Sequence, residues 1–316
     1  MLRNELLIKT LQPKSLHFPL NAPYTVVYRT HPYLAHTLPH MKTLIADSGS
    51  TKTDWALVEN GNVALRVKTQ GMNPLVMTED VILRLLRDEL LPALSDRPER
   101  VEFFGAGCRG KGLERMKATL QEVFGPACSV SVHSDLEGAA VALFGKTEGI
   151  ACILGTGSNS GVWDGKTLVA NTPSMGYVLG DEGGGVSLGR RLLSDVCKQQ
   201  LPETLSRTFW SESGLSVDEI IEQVYRGATP NRFLASHAPF LLAHRREPAV
   251  ANLLAEEFER FFRRNVCVYA RPDLPVSFVG GIACAFREEV EAAARRCGLQ
   301  PVQFLQAPME GLVSRF

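Results

Sequence analysis

Charge imbalance, paired cysteines and long apolar runs are all missing from this sequence. Thirty-four Lys or Arg balance 34 Asp or Glu, a formal net charge of zero. A nucleic-acid binder is expected to carry a basic excess, so no such partner is expected. No apolar run approaches the roughly 20 residues that cross a bilayer, so no membrane partner is expected either. The seven cysteines (Cys108, Cys128, Cys152, Cys197, Cys267, Cys284 and Cys297) are odd in number, scattered, and never form C-x-x-C. That excludes a zinc ribbon, an iron–sulfur cluster and a disulfide framework. Most lie in apolar segments, where a free Cys packs as a small hydrophobe, and a reducing, cytoplasmic setting is expected. What is present is an ordinary globular balance, 45 % hydrophobic and 22 % charged. The 316 residues suffice for two domains of common size or one large one.

The first forty residues differ from the rest. They hold four of the seven His, four Lys or Arg and one acid, with no compact apolar segment of the signal-peptide kind. Met41 then opens a clean strand start, MKTLIADSGS. Residues 1–40 are expected to be a loosely ordered or upstream-initiated extension, with Met41 the functional start. A transit peptide is the weaker alternative, since Ser is scarce and Pro13, Pro19 and Pro23 interrupt any basic amphipathic helix.

Strands are expected at 42–46, 54–59 and from Val63, with Asn60-Gly61 as a hairpin turn because both positions tolerate positive φ. Thr78 is placed to cap a helix running to about Leu94, with Glu79 and Asp80 in its first turn. A strand at 101–104 and a helix near 112–124 follow, a β-β-β-α-β-α order. Then 150-IACILGTGSNSGVWDGKTLVA repeats the opening grammar of strand, small polar turn, strand, Asp164-Gly165 turn, strand. A repeated unit implies two similar facing domains, divided near 145–149. Beyond it the chain reads as mostly helical: a Gly-rich stretch from 176 runs into a helix to about Gln200. Ser216 caps 217-VDEIIEQVY, two or more helices occupy 231–269, and a helix at 285–297 stops at Gly298. The tail is a strand and a short helix.

Two turns carry the chemistry. Successive backbone N–H groups in a tight turn can hold a phosphate if the residues are small enough for close approach. Ser48-Gly49-Ser50-Thr51 and Gly155-Thr156-Gly157-Ser158 both qualify, and two such turns from facing domains can grip a nucleotide tail from both sides. One turn alone reads as an ordinary hairpin; the matched pair, one headed by Asp47, reads as a phosphate clamp. A carboxylate at that strand end suits Mg²⁺, held through water. Asp135, before a small-residue helix, can accept a proton from an attacking hydroxyl or serve as a plain N-cap, and locally both readings stand. Asp181 and Glu182 in LGDEGGG fit sugar hydroxyls, Mg²⁺ or a solvated loop. Gly280-Gly281 allows a flat ring to approach the backbone, or is a plain strand-to-helix turn. Gly105, Gly107 and Gly110 match G-x-G-x-x-G, but on a fourth strand with no acid near residue 130, so dinucleotide binding is not expected.

Assembled, these motifs resemble the sugar kinase/actin/Hsp70 superfamily of two-domain ATPases: DSGSTKTDW its first phosphate motif, ILGTGSNS its second, VSFVGGIA its adenosine motif. GTGSN, LGDEGGG and the tail PMEGL are similar to the BadF/BadG/BcrA/BcrD-type ATPases, and within them to N-acetylglucosamine kinase-like proteins. The resemblance covers about residues 41–316. It implies an α/β fold of two RNase H-like domains, 41–147 and 148–316, with a nucleotide cleft between them and a terminal helix that can pack back on the first. It further implies ATP and Mg²⁺ as cofactors and an amino sugar, N-acetylglucosamine or glucosamine, as acceptor. By the same resemblance Asp135 is the base, Asp47 positions Mg²⁺, and Ser48, Gly49, Ser50, Thr51, Lys52, Gly155, Thr156, Gly157 and Ser158 hold phosphate. Gly280 and Gly281 meet adenosine, and Asn73, Asn159, Gly176 and Asp181 face the sugar. One departure is Met175-Gly176, where such kinases often have Trp-Gly. A sugar-independent ATPase acting as a nucleotide sensor is the alternative function, and a homodimer stays open.

Overall fold

The computed structural model describes residues 41–49 and 51–316. The expectations for residues 1–40, and the phosphate role given to Ser50, lie outside the described residues. In chain order the first half holds β1 (Thr43–Ser48), β2 (Lys52–Glu59), β3 (Asn62–Gln70), α1 (Glu79–Leu85), β4 (Arg100–Gly105), α2 (Lys111–Phe124), β5 (Ser129–Ser134) and α3 (Asp135–Phe144). The second holds β6 (Gly149–Leu154), β7 (Ser158–Trp163), β8 (Leu168–Thr172), α4 (Gly176–Leu179), α5 (Gly185–Cys197), α6 (Glu203–Ser213) and α7 (Val217–Tyr225). It continues through α8 (Pro230–Ala235), α9 (Ala238–Ala243), α10 (Pro248–Phe261), β9 (Pro275–Val279), α11 (Gly281–Ala285), α12 (Arg287–Arg296), β10 (Gln300–Leu305) and α13 (Met309–Val313).

The strands form two five-stranded sheets, β3-β2-β1-β4-β5 and β8-β7-β6-β9-β10. In each, three antiparallel strands form a meander and two more run parallel to its first strand. The repeated grammar is thus a repeated topology, and the α/β fold of two RNase H-like lobes implied by the resemblance is the fold present. β1 and β6 are central and buried on both faces, which is why they read as near-continuous apolar runs. The β2–β3 turn uses Asn60 (φ 54°) and Gly61 (φ 75°), the pair of left-handed positions a two-residue hairpin needs. The matching β7–β8 turn is held by Asp164, whose Oδ1 accepts the N–H groups of Lys166 and Thr167 at 2.8 and 2.7 Å.

Two expected helices differ in detail. Thr78 stands at the N-cap of α1 but makes no side-chain cap bond, and the α geometry ends at Leu85. A π turn (Leu86–Leu90) follows, its ladder stopped by Pro92, which has no N–H to extend it, and a 3₁₀ turn (Leu91–Ala93) closes the segment. The helix expected over 285–297 begins earlier and is broken at Phe286 into α11 and α12.

One core fills each lobe, the second being much the larger because α5–α12 pack on its sheet. Helix α3 joins them. It packs on β4 of one sheet and on β6, β7 and β9 of the other. Its small residues permit the approach: a Cβ at Gly138 would lie 2.8 Å from the Phe104 Cβ. Helix α13 packs on α3, β1 and β2, with Met309 and Leu312 buried against Ile45, Ala56 and Phe104. Cys108, Cys128 and Cys152 are buried, as small hydrophobes are; Cys267 is exposed. Among the described residues no helix is long and apolar enough to cross a membrane.

Candidate active site

The C-terminal ends of β1, β4 and β6 and the hairpins after β1 and β6 face one another across a cleft. Two cavities share it. One, of about 510 Å³, is lined by Asp47, Ser48, Gly49, Thr51 and Lys52 from the first hairpin and by Gly155, Thr156, Gly157 and Ser158 from the second. Gly280 and Gly281 complete it. The other, of about 410 Å³, is lined by Asn73, Asn159, Gly176 and Asp181. Both are lined by Asp135 and Asp181. Every described residue expected to touch nucleotide or acceptor therefore borders the cleft, and Thr156, Gly157, Asn159 and Asp181 line both cavities.

The second hairpin is built to leave donors free. Gly155 N–H donates to Gly157 O at 3.0 Å, and the carbonyls of Gly155 and Thr156 accept from Gly185 and Val186 at the start of α5. Ser158 N–H donates to Asp181 Oδ1 at 3.1 Å. Within the described chain that leaves the N–H groups of Thr156 and Gly157 for a ligand. A Cβ on Gly155 would meet nothing within 4 Å and would project into open cleft, whereas one on Gly157 would lie 2.5 Å from Asp181 Oδ1. The first glycine leaves room for a ligand atom; the second leaves room for a protein carboxylate. In the first hairpin, Gly49 N–H donates to Lys52 O at 3.0 Å. Ser48 presents only backbone to the cleft: its buried Oγ bonds Thr53 Oγ1 at 2.8 Å and both N and O of Met72 at 3.1 Å. Lys52 Nζ is paired with Asp54 at 2.6 Å.

Asp135 is the first residue of α3, not its cap. Ser134 is the N-cap, in a capping box with Glu137. The cap reading of Asp135 is thereby corrected: the neighbouring serine does that work and frees the carboxylate to face the cleft. Its Oδ1 accepts the N–H of Leu136 at 2.9 Å. Burial raises the Asp135 pKa, opposed by that hydrogen bond and by the Arg109 charge. Behind it, His133 stacks on Phe104 with ring centroids 4.9 Å apart and donates to Glu102 at 3.2 Å. Burial works against the His133 imidazolium, but the hydrogen bonds to Glu102 and Glu137 outweigh it and raise its pKa to about 9.

Asp47 lies directly across the β1–β2 ladder from Asp54. Burial, with the charges of Asp54 and Asp135 adding and Lys52 opposing, pushes its pKa up to about 7. A carboxylate held at such cost beside other carboxylates suits a divalent cation. Among the described residues no three His, Cys, Asp or Glu side chains cage a metal by themselves. The donor set is one or two carboxylates, with water and phosphate left to fill the shell, which is how Mg²⁺ is held beside nucleotide phosphates.

Asp181 is held in the left-handed region (φ 59°), with Gly183 at φ 69°. The adjacent Glu182 is 3 % exposed and accepts from Arg264 Nε at 2.6 Å and Asn265 Nδ2 at 3.3 Å. Asn265 O in turn accepts the Ser160 and Thr172 hydroxyls at 2.7 and 3.1 Å, tying this loop to β7 and β8. Glu182 is thus neither solvated nor in the cleft. The G-x-G-x-x-G turn also has a place: a Cβ at Gly107 would lie 2.0 Å from Asn73 Oδ1, so the turn makes room for the Asn73 amide. Met175 faces a side pocket with Leu179, Glu182 and Arg264 and does not line the amide-lined cavity.

Sequence reasoning missed several lining residues. Asp54 carried a signal, the alternation of β2 within DSGSTKTD. Asn171 and Asn231 in the 410 Å³ cavity had none, and neither did the apolar slot of about 390 Å³ formed beside Gly155 and Gly281 by Ala238, Leu242, Ile282 and Phe286.

No family model matches the chain, and no curated protein does. Solved structures do. A candidate N-acetylglucosamine kinase from Porphyromonas gingivalis is 44 % identical, with a TM-score of 0.83 over 86 % of this chain and 98 % of its own. One of the same description from Chromobacterium violaceum is 21 % identical, with a TM-score of 0.68 over 87 % and 99 %. A ROK family glucokinase from Streptomyces griseus, in complex with glucose and AMPPNP, is 14 % identical with a TM-score of 0.56 over 87 % and 97 %. At those identities the last two speak for the fold alone.

Proposed function

Because the chain belongs to the N-acetylglucosamine kinase-like group of the BadF/BadG/BcrA/BcrD-type sugar kinase family, we propose that it transfers the γ-phosphoryl group of ATP to a hydroxyl of an amino sugar, N-acetylglucosamine or glucosamine. The observation that carries this is the position of Asp135, on the boundary of a phosphate-type cavity and an amide-lined one. ATP lies between the two hairpins, its phosphates on the N–H groups of Thr156 and Gly157 and on the first hairpin. Its base lies in the apolar slot beside Gly281. Asn73, Asn159, Asn171 and Asn231 meet the hydroxyls and acetamide of the acceptor. Asp135 accepts the hydroxyl proton as the sugar oxygen bonds phosphorus and the bond to ADP breaks. Asp47 would hold Mg²⁺ through water, and the ion would supply neutralisation of charge on the phosphates. Closure of lobes 41–147 and 148–316 excludes water, which would otherwise compete as acceptor.

ADP release measured with N-acetylglucosamine, glucosamine, N-acetylmannosamine, glucose and no sugar tests this reading. Stimulation by one amino sugar is expected. A slow rate that no sugar changes would favour the sugar-independent sensor ATPase.

A further inference from the structure

A further cavity, of about 630 Å³ and larger than the acceptor cavity, lies between α4, α5 and α7 and adjoins the acceptor cavity at Tyr177. Its walls are Val178, Leu193, Ile220, Ile221, Val224 and Leu234. Part of that apolar surface is open to water: Ile221 is 51 % exposed, Val178 67 % and Tyr225 82 %. A contiguous patch of this kind marks a binding surface rather than a scatter of surface residues. Two cations line it, Arg190 and Lys198, and no carboxylate does.

That charge pattern selects the occupant. In a twofold contact with a second copy the same patch would face itself, leaving cations with no anion opposite. An amphipathic anion satisfies both features, with its tail on the apolar walls and its head at Arg190 and Lys198. We propose that this groove binds a small anion bearing an apolar chain, of the medium-chain carboxylate class, and that its occupancy sets the acceptor-side loop.

The second half follows from Tyr177, which lines both this groove and the acceptor cavity. Arg190 donates to the Tyr177 carbonyl at 2.8 Å, so a head group at Arg190 is one hydrogen bond from the loop. That loop rests on two left-handed residues, Met175 (φ 51°) and Gly176 (φ 70°), and is among the most exposed apolar segments near the cleft. Filling the groove fixes the loop against Leu193 and Ile221.

Calorimetric titration of the full chain with decanoate tests the proposal without turnover, so its outcome is separate from that of the kinase reading. Saturable one-to-one binding is expected, weakening roughly two- to fourfold for each methylene removed toward octanoate. Decanamide, the same shape without charge, should bind at least tenfold more weakly. Lys198→Glu should weaken decanoate at least fivefold and Ile221→Asp should abolish binding; both sites are at the surface and outside the cleft. In the kinase assay decanoate should lower the acceptor KM at least twofold in the wild type only. Equal binding of decanamide, wild-type binding by both variants, or no saturable heat overturns the site. So does a concentration-dependent dimer that Ile221→Asp disperses, since the occupant is then a second copy. Binding with no change in acceptor KM overturns the coupling to the loop.

Discussion

Two glycines two residues apart in the second hairpin should respond in opposite ways to the same added methyl group. Neither Gly155 nor Gly157 has a positive φ, so alanine is sterically allowed by the backbone at both. At Gly155 the new Cβ meets no atom of the protein within 4 Å. Folding stability should therefore hold or rise by about 0.4–1 kcal/mol, because alanine restricts the unfolded chain. The methyl group nevertheless stands where a phosphate oxygen must approach the N–H groups of Thr156 and Gly157. Losing one hydrogen bond to a charged group costs about 1.5–3 kcal/mol, or roughly 10- to 150-fold in KM for ATP. At Gly157 the Cβ would stand 2.5 Å from Asp181 Oδ1 and 2.8 Å from its Cγ. Asp181 must leave, and its bond from Ser158 N–H is lost. Overpacking of this kind costs about 1–3 kcal/mol and should lower Tm by a few degrees, with acceptor KM raised more than ATP KM. Thermal unfolding and two-substrate kinetics on the two variants separate the cases. An ATP KM within twofold of wild type in Gly155→Ala, with stability intact, would refute phosphate contact at this hairpin. Matching effects of the two substitutions would refute the division of labour.

Other outcomes follow from the same geometry. Asp135→Asn should cut turnover by about 10²- to 10⁴-fold while leaving ATP affinity, measured by calorimetry, within a few fold. Because burial raises the Asp135 pKa, the acid limb of the kcat/KM–pH profile should lie above the ordinary carboxylate range; a limb below about pH 4 would contradict its role as base. Asp47, raised to about 7 in the fold, contributes stability that is fully present below its unfolded value of about 4 and lost as pH climbs through 7. Asp47→Asn should thus raise the nucleotide-free Tm at pH 8 more than at pH 4.5, yet abolish stabilisation by Mg-ATP; a lower Tm at pH 8 would show the carboxylate to be structural. Glu182→Ala takes one acceptor from the buried Asn265 amide, while the largely exposed Arg264 turns to water, and should destabilise by about 1–3 kcal/mol, whereas Glu182→Gln should retain part of that through its amide oxygen. Chemical denaturation ranks the two.

The two-lobed plan was legible because it is written twice at short range. Both meanders announce themselves by an apolar strand, a small polar turn and an Asn-Gly or Asp-Gly hairpin; parallel strands β4, β9 and β10 were placed by the apolar runs at 101, 275 and 302, whereas β5 (Ser129–Ser134) was not read as a strand. The clamp was legible for the same reason, its function lying in backbone and therefore in small residues. What escaped is what only packing decides. The cap of α3 was read locally as Asp135, and the structure gives that place to Ser134 through its box with Glu137. Glu182 looks solvated in a glycine-rich loop until Arg264 and Asn265 arrive from 82 and 83 residues away. Asn231 and the apolar slot come from helices α8 and α9, whose sequences carry no sign of the cleft they border.

The central claim is that a sugar hydroxyl, and not water, receives the phosphoryl group. Phosphorus NMR of a reaction with Mg-ATP and N-acetylglucosamine, run in parallel with glucosamine, reads this directly. A sugar-phosphate resonance growing one for one with ADP is the predicted result. ADP accompanied only by inorganic phosphate, with both sugars unchanged, would contradict it.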